Sequence, residues 1–513
     1  MGKVIGIDLG TTFSAIASLD DMGNPEVIPS IEDNRKITAS VIYVDGKNAI
    51  VGDKALDYIV DKPKQVITET KRQMENDVVY SIDQGKWTKD ENLTESFTPA
   101  QASSLILKKL KDYTSEVTSA VITVPAMFAE SARQATLEAA KMAGIEVIEL
   151  INEPTAAVLH YASLPGVEVG GRVMIYDLGG GTFDVTIAEV KNKKVDVITS
   201  RGDKYLGGKD FDVEITKLMN KKYKEKHNVE LDLNNNKEYI KKAEDVKKNL
   251  SVKEKTSVQI NGAKGSFDIE ITREEFEESI QTYLEKTKML IEETLESSGM
   301  KPSRISQTLL VGGSTRIPAV VQSITKLMGK PPVKGVNVDE AVVCGAAVYA
   351  GLKTEDKSLN KKQQEALAQV ELTDVCNFFM GTLALVNDPN TNRQVMANTT
   401  IIKRDTKLPA SVTKRYFTIH EGQEEIDCSV TQSEGFEDNV EFVNVIHKEL
   451  LKLPKNRPAK QPVDITYSYD SSGKIHCLFT DVESGNKHEI ELKPHTTKEL
   501  DKQIKEVEKI IVE

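Results

Sequence analysis

Val173-Met-Ile-Tyr-Asp177-Leu-Gly179-Gly180-Gly181-Thr182-Phe-Asp184-Val-Thr-Ile187 carries the reading of this chain. An apolar run ends in an aspartate, three glycines and a threonine follow, and an alternating segment leaves. The pattern predicts a β-hairpin whose turn carries no side chains, so its backbone N–H groups can come close to a guest. A phosphate suits such a turn, and Asp177 suggests a bound cation beside it. The same plan occurs in Val4-Ile5-Gly6-Ile7-Asp8-Leu9-Gly10-Thr11-Thr12. Two copies of apolar strand, Asp-Leu-Gly and small-residue turn predict a duplicated nucleotide site.

Around the first copy, residues 4–19 read as strand, turn and return strand, and 40–44 as a strand closed by Asp45-Gly46. Leu105, Leu107, Leu110 and Tyr113 predict a helix over 101–116. Residues 118–124 are β-like and end at Pro125; 130–143 read as a helix stopped by Gly144, and 145–151 as a strand. Around the second copy, the hairpin at 173–190 precedes a helix opened by Gly207-Gly208. A lysine-rich helix at 238–250, a small β segment and a long helix over 273–298 come next. The strand Thr308-Leu-Leu-Val311 then runs into Gly312-Gly313-Ser314-Thr315-Arg316, and Asp339-Glu340 opens an apolar helix over 341–350. Strands alternating with helices give an α/β layer architecture. The polar texture of 353–371 marks a domain edge. From Phe378 onward, short strand-like runs with turns at 470–473 and 483–486 predict a small antiparallel β module. Leu500, Ile504, Val507 and Ile511 fall at helical spacing over 497–513.

A chain of 513 residues exceeds one compact core, and about 100–200 residues per domain gives roughly three to five units. With 67 basic against 79 acidic residues the formal net charge is −12, which disfavours nucleic acid or an anionic membrane as the main partner. The four cysteines show no CxxC pair and the histidines complete no zinc pattern, so buried free thiols in a reducing compartment are expected. No leader-like segment and no run of about 18 apolar residues is present, and the reading is a monomeric cytoplasmic protein.

The glycine turns match neither the Walker P-loop nor the dinucleotide fingerprint. Asp8 and Asp177 are expected to face each other at the hairpin tips. Magnesium takes oxygen ligands, often one or two carboxylates with waters and phosphate oxygens. Thr11, Thr12 and Thr182 offer hydroxyls and N–H groups to the same phosphates.

Four stretches, Gly6-Ile-Asp-Leu-Gly-Thr-Thr12, Ile151-Asn-Glu-Pro-Thr-Ala-Ala157, Asp177-Leu-Gly-Gly-Gly-Thr-Phe-Asp184 and Val311-Gly-Gly-Ser-Thr-Arg-Ile-Pro318, resemble the signatures of the seventy-kilodalton heat-shock chaperone family, the DnaK type. Their order matches, and the similarity runs from Val4 to about Leu492. The connector Leu372-Thr-Asp374-Val-Cys376 and the short C-terminal end look most like the HscC branch. The resemblance implies an actin-like two-lobed ATPase domain at 1–368, a connector at 369–377, a β-sandwich peptide-binding domain at 378–495 and a remnant of a lid helix at 496–513. It also implies an ATP-hydrolysing stress-response chaperone that binds exposed apolar segments of client polypeptides. ATP or ADP, magnesium and potassium would serve it, with a J-domain co-chaperone and a nucleotide exchange factor as partners.

Carried over by resemblance, Gly10, Thr11, Thr12 and Phe13 with Gly179, Gly180, Gly181 and Thr182 hold the phosphates, and Gly207 and Gly208 join them. Asp8 and Asp177 order the magnesium shell, largely through water. Lys71 matches the catalytic lysine, suited to stabilising moving phosphate charge, and Glu153 the glutamate that places the attacking water. Glu244, Lys247, Lys248 and Ser251 match the adenosine-binding helix; Gly312, Gly313, Ser314, Arg316 and Asp339 complete the adenine and ribose side. Pro125, Arg133 and Asp374 match positions that relay nucleotide state to the second domain. Phe417, Ile426 and Cys428 align with the apolar peptide groove, although ordinary sandwich core explains them as well.

Several positions depart from the family pattern. Phe13 stands where a polar residue is frequent, and Lys248 where many members stack an arginine on adenine; lysine lacks the planar guanidinium. Glu371 and Thr373 make the connector more polar, and the lid is nearly absent. Two rival functions stay open at this point: a nucleotide-gated regulatory binding protein with little hydrolysis, and a small-molecule kinase of the same superfamily.

Overall fold

A computed structural model describes residues 3–513 apart from 91–92, 94, 115–116, 165–169, 234–236, 263, 335–336, 355–357, 388–392, 471–472, 491 and 493–496. The expected boundary at 495–496 and the middle of the 470–473 turn lie outside the described residues.

Each Asp-Leu-Gly stretch sits at the same place in its own sheet. In lobe I, Lys3–Asp8 pairs in parallel with Val117–Val124, which pairs in parallel with Glu146–Asn152. Its hairpin partner Phe13–Leu19 carries Pro25–Ile28 on the far side. In lobe II, Gly171–Leu178 pairs in parallel with Gln307–Val311 and antiparallel with Phe183–Lys191, which carries Lys194–Asp203. The shared strand order is the structural form of the sequence repeat. Ile5, Ile7, Ile175 and Ile187 are fully buried, as apolar strands covered on both faces require.

The helices that follow the two sheets exchange lobes. Glu153–Ser163 leaves lobe I's last strand and packs on lobe II's strands, while Ala341–Lys353 leaves lobe II and packs on Lys3–Asp8 and Phe13–Leu19 of lobe I. They cross where a Cβ on Gly345 would lie 1.8 Å from the Ala156 carbonyl oxygen. Only glycine permits that approach.

Three local expectations change. The long helix over 273–298 is two, Arg273–Ser279 and Gln281–Ser297, broken at Ile280 (φ −97°, ψ 3°). The polar stretch at 353–371 contains a helix, Lys361–Leu367, whose start is capped by the Asn360 side chain. Within the connector, Glu371–Thr373 adds to lobe II's sheet as a parallel edge strand beside Lys194–Asp203.

The β module is a sandwich. One sheet orders Gln394–Ile402, Phe379–Asn387, Glu425–Ser433 and Asn444–Lys452; the other orders Ala410–Phe417, Pro462–Tyr469, Ile475–Asp481 and Lys487–Ile490. Met380, Val430, Tyr467 and Phe479 fill the space between them. Polar contacts hold the sandwich against both lobes. Asn377 donates to the Ala126 carbonyl (2.8 Å), Gln432 accepts from the Glu130 N–H (3.2 Å), and Arg201 of lobe II pairs with Asp405 (3.0 Å).

The helix expected as a lid remnant lies on lobe I. Helix Thr497–Glu508 packs on lobe I, against helices Pro99–Lys111 and Glu130–Met142, and not on the sandwich. Its stripe of Leu500, Ile504 and Val507 packs on the core that contains Ile5 and Ile7. The chain then turns into a strand, Ile511–Val512, which pairs in parallel with Asn48–Val51 of lobe I.

Candidate functional site

The two glycine turns touch. A Cβ on Gly180 would lie 2.0 Å from the Thr12 hydroxyl, and one on Gly181 2.5 Å from the Thr11 hydroxyl. A Cβ on Gly207 would lie 2.6 Å from the Gly181 nitrogen, so the opening of the next helix closes on the same turn. Side chains would wedge these segments apart; their absence lets the lobes meet over a cavity of about 570 Å³.

Almost all of the residues expected to hold nucleotide line this cavity. Asp8, Gly10, Thr11, Thr12, Phe13, Lys71, Glu153, Asp177, Gly179, Gly180 and Thr182 line its floor and near wall. Glu244, Lys247, Lys248, Ser251, Gly312, Gly313, Ser314, Arg316 and Asp339 line the opposite side. Gly181, Gly207 and Gly208 stand behind the wall and shape it.

The floor concentrates charge. Lys71 pairs with Glu153, both buried. Burial alone would lower the Lys71 ammonium, but Glu153, Asp8 and Asp177 outweigh it and hold it charged. Burial raises the Asp8 carboxyl, against the pull of Lys71 and of the Thr123 hydroxyl that donates to it at 2.8 Å. Burial and the neighbouring acids Glu153, Asp184 and Asp8 raise Asp177 well above the carboxylate range, and its Oδ2 has no hydrogen-bond partner. Three carboxyls thus share one ammonium. Such a site calls for a further cation.

The far wall is a lysine–carboxylate lattice. Burial opposes ionisation of Glu244, yet Lys209 at 3.1 Å and Lys248 at 2.5 Å pull its carboxyl far below the usual range. Lys247 binds Asp212 (2.6 Å) and the Gly208 carbonyl (2.7 Å), and Lys248 lies 5.3 Å from the centre of the Phe13 ring. The unusual pair, aromatic at 13 and lysine at 248, is therefore a cation–π contact across the cleft. Ser314 donates to the Gly179 carbonyl at 2.9 Å, and Arg316 pairs with Asp339.

Sequence reasoning missed several members. Lys209 and Asp212 follow the quoted Gly207-Gly208 pair, and Asp184 lies within the opening stretch, so all three were within sight. Asp184 is held up at about 8 by burial and the Glu153 carboxylate. Arg72, next to Lys71, donates to the Gly181 carbonyl at 3.1 Å and pairs with Asp210, tying lobe I to lobe II. No spacing rule marks an arginine beside a functional lysine.

A family model described as Hsp70 protein matches residues 4–513. The chain belongs to the Hsp70 family. Among its relatives, the chaperone proteins DnaK of Thermotoga petrophila, Thermotoga sp. strain RQ2 and Thermotoga maritima are each 33% identical over 505 residues, covering 94% of this chain and 79% of theirs.

In this Hsp70, two of the positions expected to relay nucleotide state, Arg133 and Asp374, lie together at the joint between lobes and sandwich. Arg133 donates to the Asn152 side chain, which donates to Asp374 at 3.1 Å; Thr155 donates to the same carboxylate at 3.2 Å. Asn152 and Thr155 flank Glu153, so the connector aspartate reaches the cleft in two steps. Pro125 ends the strand that precedes the Ala126 carbonyl contact with Asn377.

The groove residues divide. Phe417 is 57% exposed, Ile426 is half-buried against the sandwich core and Cys428 is fully buried within it. Ile426 and Cys428 are two apart on one strand and share its inward face, so Cys428 is core. An open concavity of about 640 Å³ lies elsewhere, lined by Val386, Val395, Met396 and Phe436. Among the described residues no helix is long and apolar enough to cross a membrane.

A second cavity, about 390 Å³, adjoins the first beyond Phe13 and Lys248. Lys237 of lobe II spans its mouth, donating to the Pro63 (2.7 Å) and Val66 (2.6 Å) carbonyls and to the Tyr80 hydroxyl of lobe I. Burial holds its ammonium down at about 8, against the pull of Glu69. Opening the cleft returns the amine to water and towards its ordinary value. The closed form therefore binds fewer protons, and raising the pH from about 8 towards the ordinary lysine range favours closure. Lys237→Met is expected to release ADP about tenfold faster, since its hydrogen bonds across the lobes to the Pro63 and Val66 carbonyls and the Tyr80 hydroxyl are lost. ADP release from the unaltered protein should slow between pH 8 and 10, and the variant should not follow. Stopped-flow release rates check both; identical profiles would remove Lys237 from the closure.

Proposed function

We propose that this Hsp70 hydrolyses ATP between its lobes and uses nucleotide state to control the hold of the β-sandwich on extended apolar peptide. It is an ATP-dependent chaperone and an ATPase. The family match continues through the sandwich to residue 513, which does not favour the small-molecule kinase. One observation supports the site reading above the rest: Thr11 and Thr12 interlock with Gly181 and Gly180 over a floor where Asp8, Glu153 and Asp177 share Lys71.

In this reading the two turns present backbone N–H groups and threonine hydroxyls to the phosphates, and Lys71 stabilises charge that shifts off the terminal phosphate. Glu153, held by Lys71, orients the attacking water. A magnesium ion fits the residues present, because Asp177 offers an unpartnered buried oxygen and Asp8 a second carboxylate. Among the described residues no group of three His, Cys, Asp or Glu side chains forms a complete ligand set, so waters and phosphate oxygens would fill the remaining positions. Bound there, magnesium neutralises phosphate charge. Potassium belongs to the proposal through resemblance.

The proposed divisions are the nucleotide-binding domain at 1–368, the connector at 369–377 and the sandwich at 378–495, with 496–513 assigned to lobe I. Client polypeptides, a J-domain co-chaperone and an exchange factor are the proposed partners, a monomer in the cytoplasm the proposed setting, and the HscC branch the proposed subgroup. The sandwich docked on both lobes, with Glu371–Thr373 in lobe II's sheet, suits the ATP-bound state; hydrolysis would free it. A ligand shifts such an equilibrium only by its differential affinity for the two states. ATP turnover measured with and without an unfolded polypeptide should rise several-fold, and peptide affinity should fall about tenfold when ATP replaces ADP. Neither change occurring would sink the coupling.

A further inference from the structure

We propose that residues 497–513 form a clasp that stays on lobe I whichever nucleotide fills the cleft, so the sandwich is released along its connector side and retained at its other end. The inference rests on the coupled-chaperone reading above.

The two attachments of the sandwich differ in kind. On the connector side the contacts are mostly polar, with one apolar seam where Met127 of lobe I joins the sandwich core beside Cys376 and Phe378. Glu371–Thr373 is a three-residue edge strand whose Glu371 pairs at the surface with Lys194 (2.6 Å), and the sandwich faces the lobes through the Arg201–Asp405, Lys407–Asp196 and Asn377–Ala126 contacts. Water and counterions can replace the exposed pairs, Lys194–Glu371 and Lys407–Asp196.

The clasp is held otherwise. Leu500 and Val507 are buried, Val507 to 1% exposure, and belong to lobe I's main core, while Ile504, Ile510 and Val512 are partly buried against it. Lifting the helix would open that core to water. Polar pins flank the apolar stripe: Gln101 donates to Glu506 at 2.9 Å, and Lys108 donates to the Val507 carbonyl at 2.7 Å. The strand then adds three ladder bonds. Ile511 donates to the Lys47 carbonyl (2.9 Å), Glu513 to that of Ala49 (2.8 Å), and Val51 to that of Glu513 (3.0 Å). These bonds cover an edge of a separate small sheet of lobe I, Asn48–Val51 with Ile42–Asp45 and Val66–Ile67, that would otherwise present unpaired N–H and C=O groups. Detachment would thus break a core and a ladder together.

Chain length fixes the consequence. Leu492 is packed in the sandwich core and Thr497 begins the clasp helix, five peptide units away. A fully extended chain of that length spans at most about 18 Å. With the clasp in place, the sandwich swings on a short leash and keeps one end beside lobe I.

Amide hydrogen exchange on the unmodified full chain tests this, once with ADP and once with ATP under regeneration. Protection at Val51, Ile511 and Glu513 is expected to agree within tenfold between the two conditions. A loss greater than tenfold with ADP overturns the clasp. The connector amides of Glu371–Thr373 report separately on coupling. They should lose protection with ADP; if they stay protected while the clasp amides also hold, the coupling reading fails and the clasp stands. Val507→Asp supplies the control, with at least a tenfold loss of protection at Ile511 and Glu513 under both nucleotides expected; unchanged protection there would also overturn the clasp.

Discussion

Lys71→Met is expected to lower the rate of ATP hydrolysis by about 10²–10³-fold while changing nucleotide affinity by less than about tenfold. The ammonium faces Glu153, Asp8 and Asp177 in a buried floor, where a donor aimed at developing charge acts with little screening. The phosphate-holding turns, from Gly10 to Thr12 and from Gly179 to Thr182, lie outside the substitution and keep their contacts. Breaking a buried ion pair usually costs about 3–5 kcal/mol because one charge is left unpaired. Here Glu153 can take up a proton, since burial and Asp8 already raise its carboxyl. The fold should therefore survive. Lys71→Arg is expected to be nearly as slow, because a planar fork cannot occupy the place of a compact ammonium. Single-turnover hydrolysis and nucleotide titration separate the two effects. A rate within tenfold of the parent would remove Lys71 from the reaction.

The second large effect lies away from the cleft floor. Gly345→Ala should lower the first thermal unfolding midpoint by several degrees and reduce nucleotide affinity with it. The added methyl would lie 1.8 Å from the Ala156 oxygen and 2.3 Å from its carbonyl carbon. Both are backbone atoms in the middle of a helix, so no side chain can turn aside. Overpacking costs about 1–3 kcal/mol where side chains can adjust and more where the backbone must move. Helix Ala341–Lys353 would have to shift off Glu153–Ser163, and Glu153 begins that second helix. Calorimetry with and without ADP checks this. An unchanged midpoint would mean that the crossing is looser than drawn.

The repeat was legible because both copies need small residues at a tight turn: Gly180 and Gly181 lie against Thr12 and Thr11 of the other copy, and a side chain at Gly10 would meet the Phe13 carbonyl of its own turn. The alternating strands of the sandwich were legible from their period. What could not be read was where an amphipathic element would go. The Leu500–Ile504–Val507 stripe gave a helix correctly, but an apolar stripe does not name its partner, and the groove on lobe I is assembled from residues near 100 and 140. The sequence likewise showed a short polar connector without showing that Glu371–Thr373 completes a sheet. For Cys428 aligned position left groove and core open, and strand parity decides: two residues along from Ile426, it lies buried in the sandwich core. Lys237 carried no motif, and its role comes from three acceptors on the other lobe.

The exchanged helices bear on how the protein is made. Lobe I's central strands are synthesised first, yet the helix that covers them, Ala341–Lys353, follows almost all of lobe II. At roughly 5–20 residues per second, translation from residue 152 to residue 341 takes about 10–40 s. Throughout that interval the sheet face under the late helix has no cover on the nascent chain, and the groove for Leu500 and Val507 waits longer still. Lobe I thus begins at residue 3 and is completed only at residue 512. Vectorial folding, one lobe after the other as the ribosome delivers them, is closed to this chain.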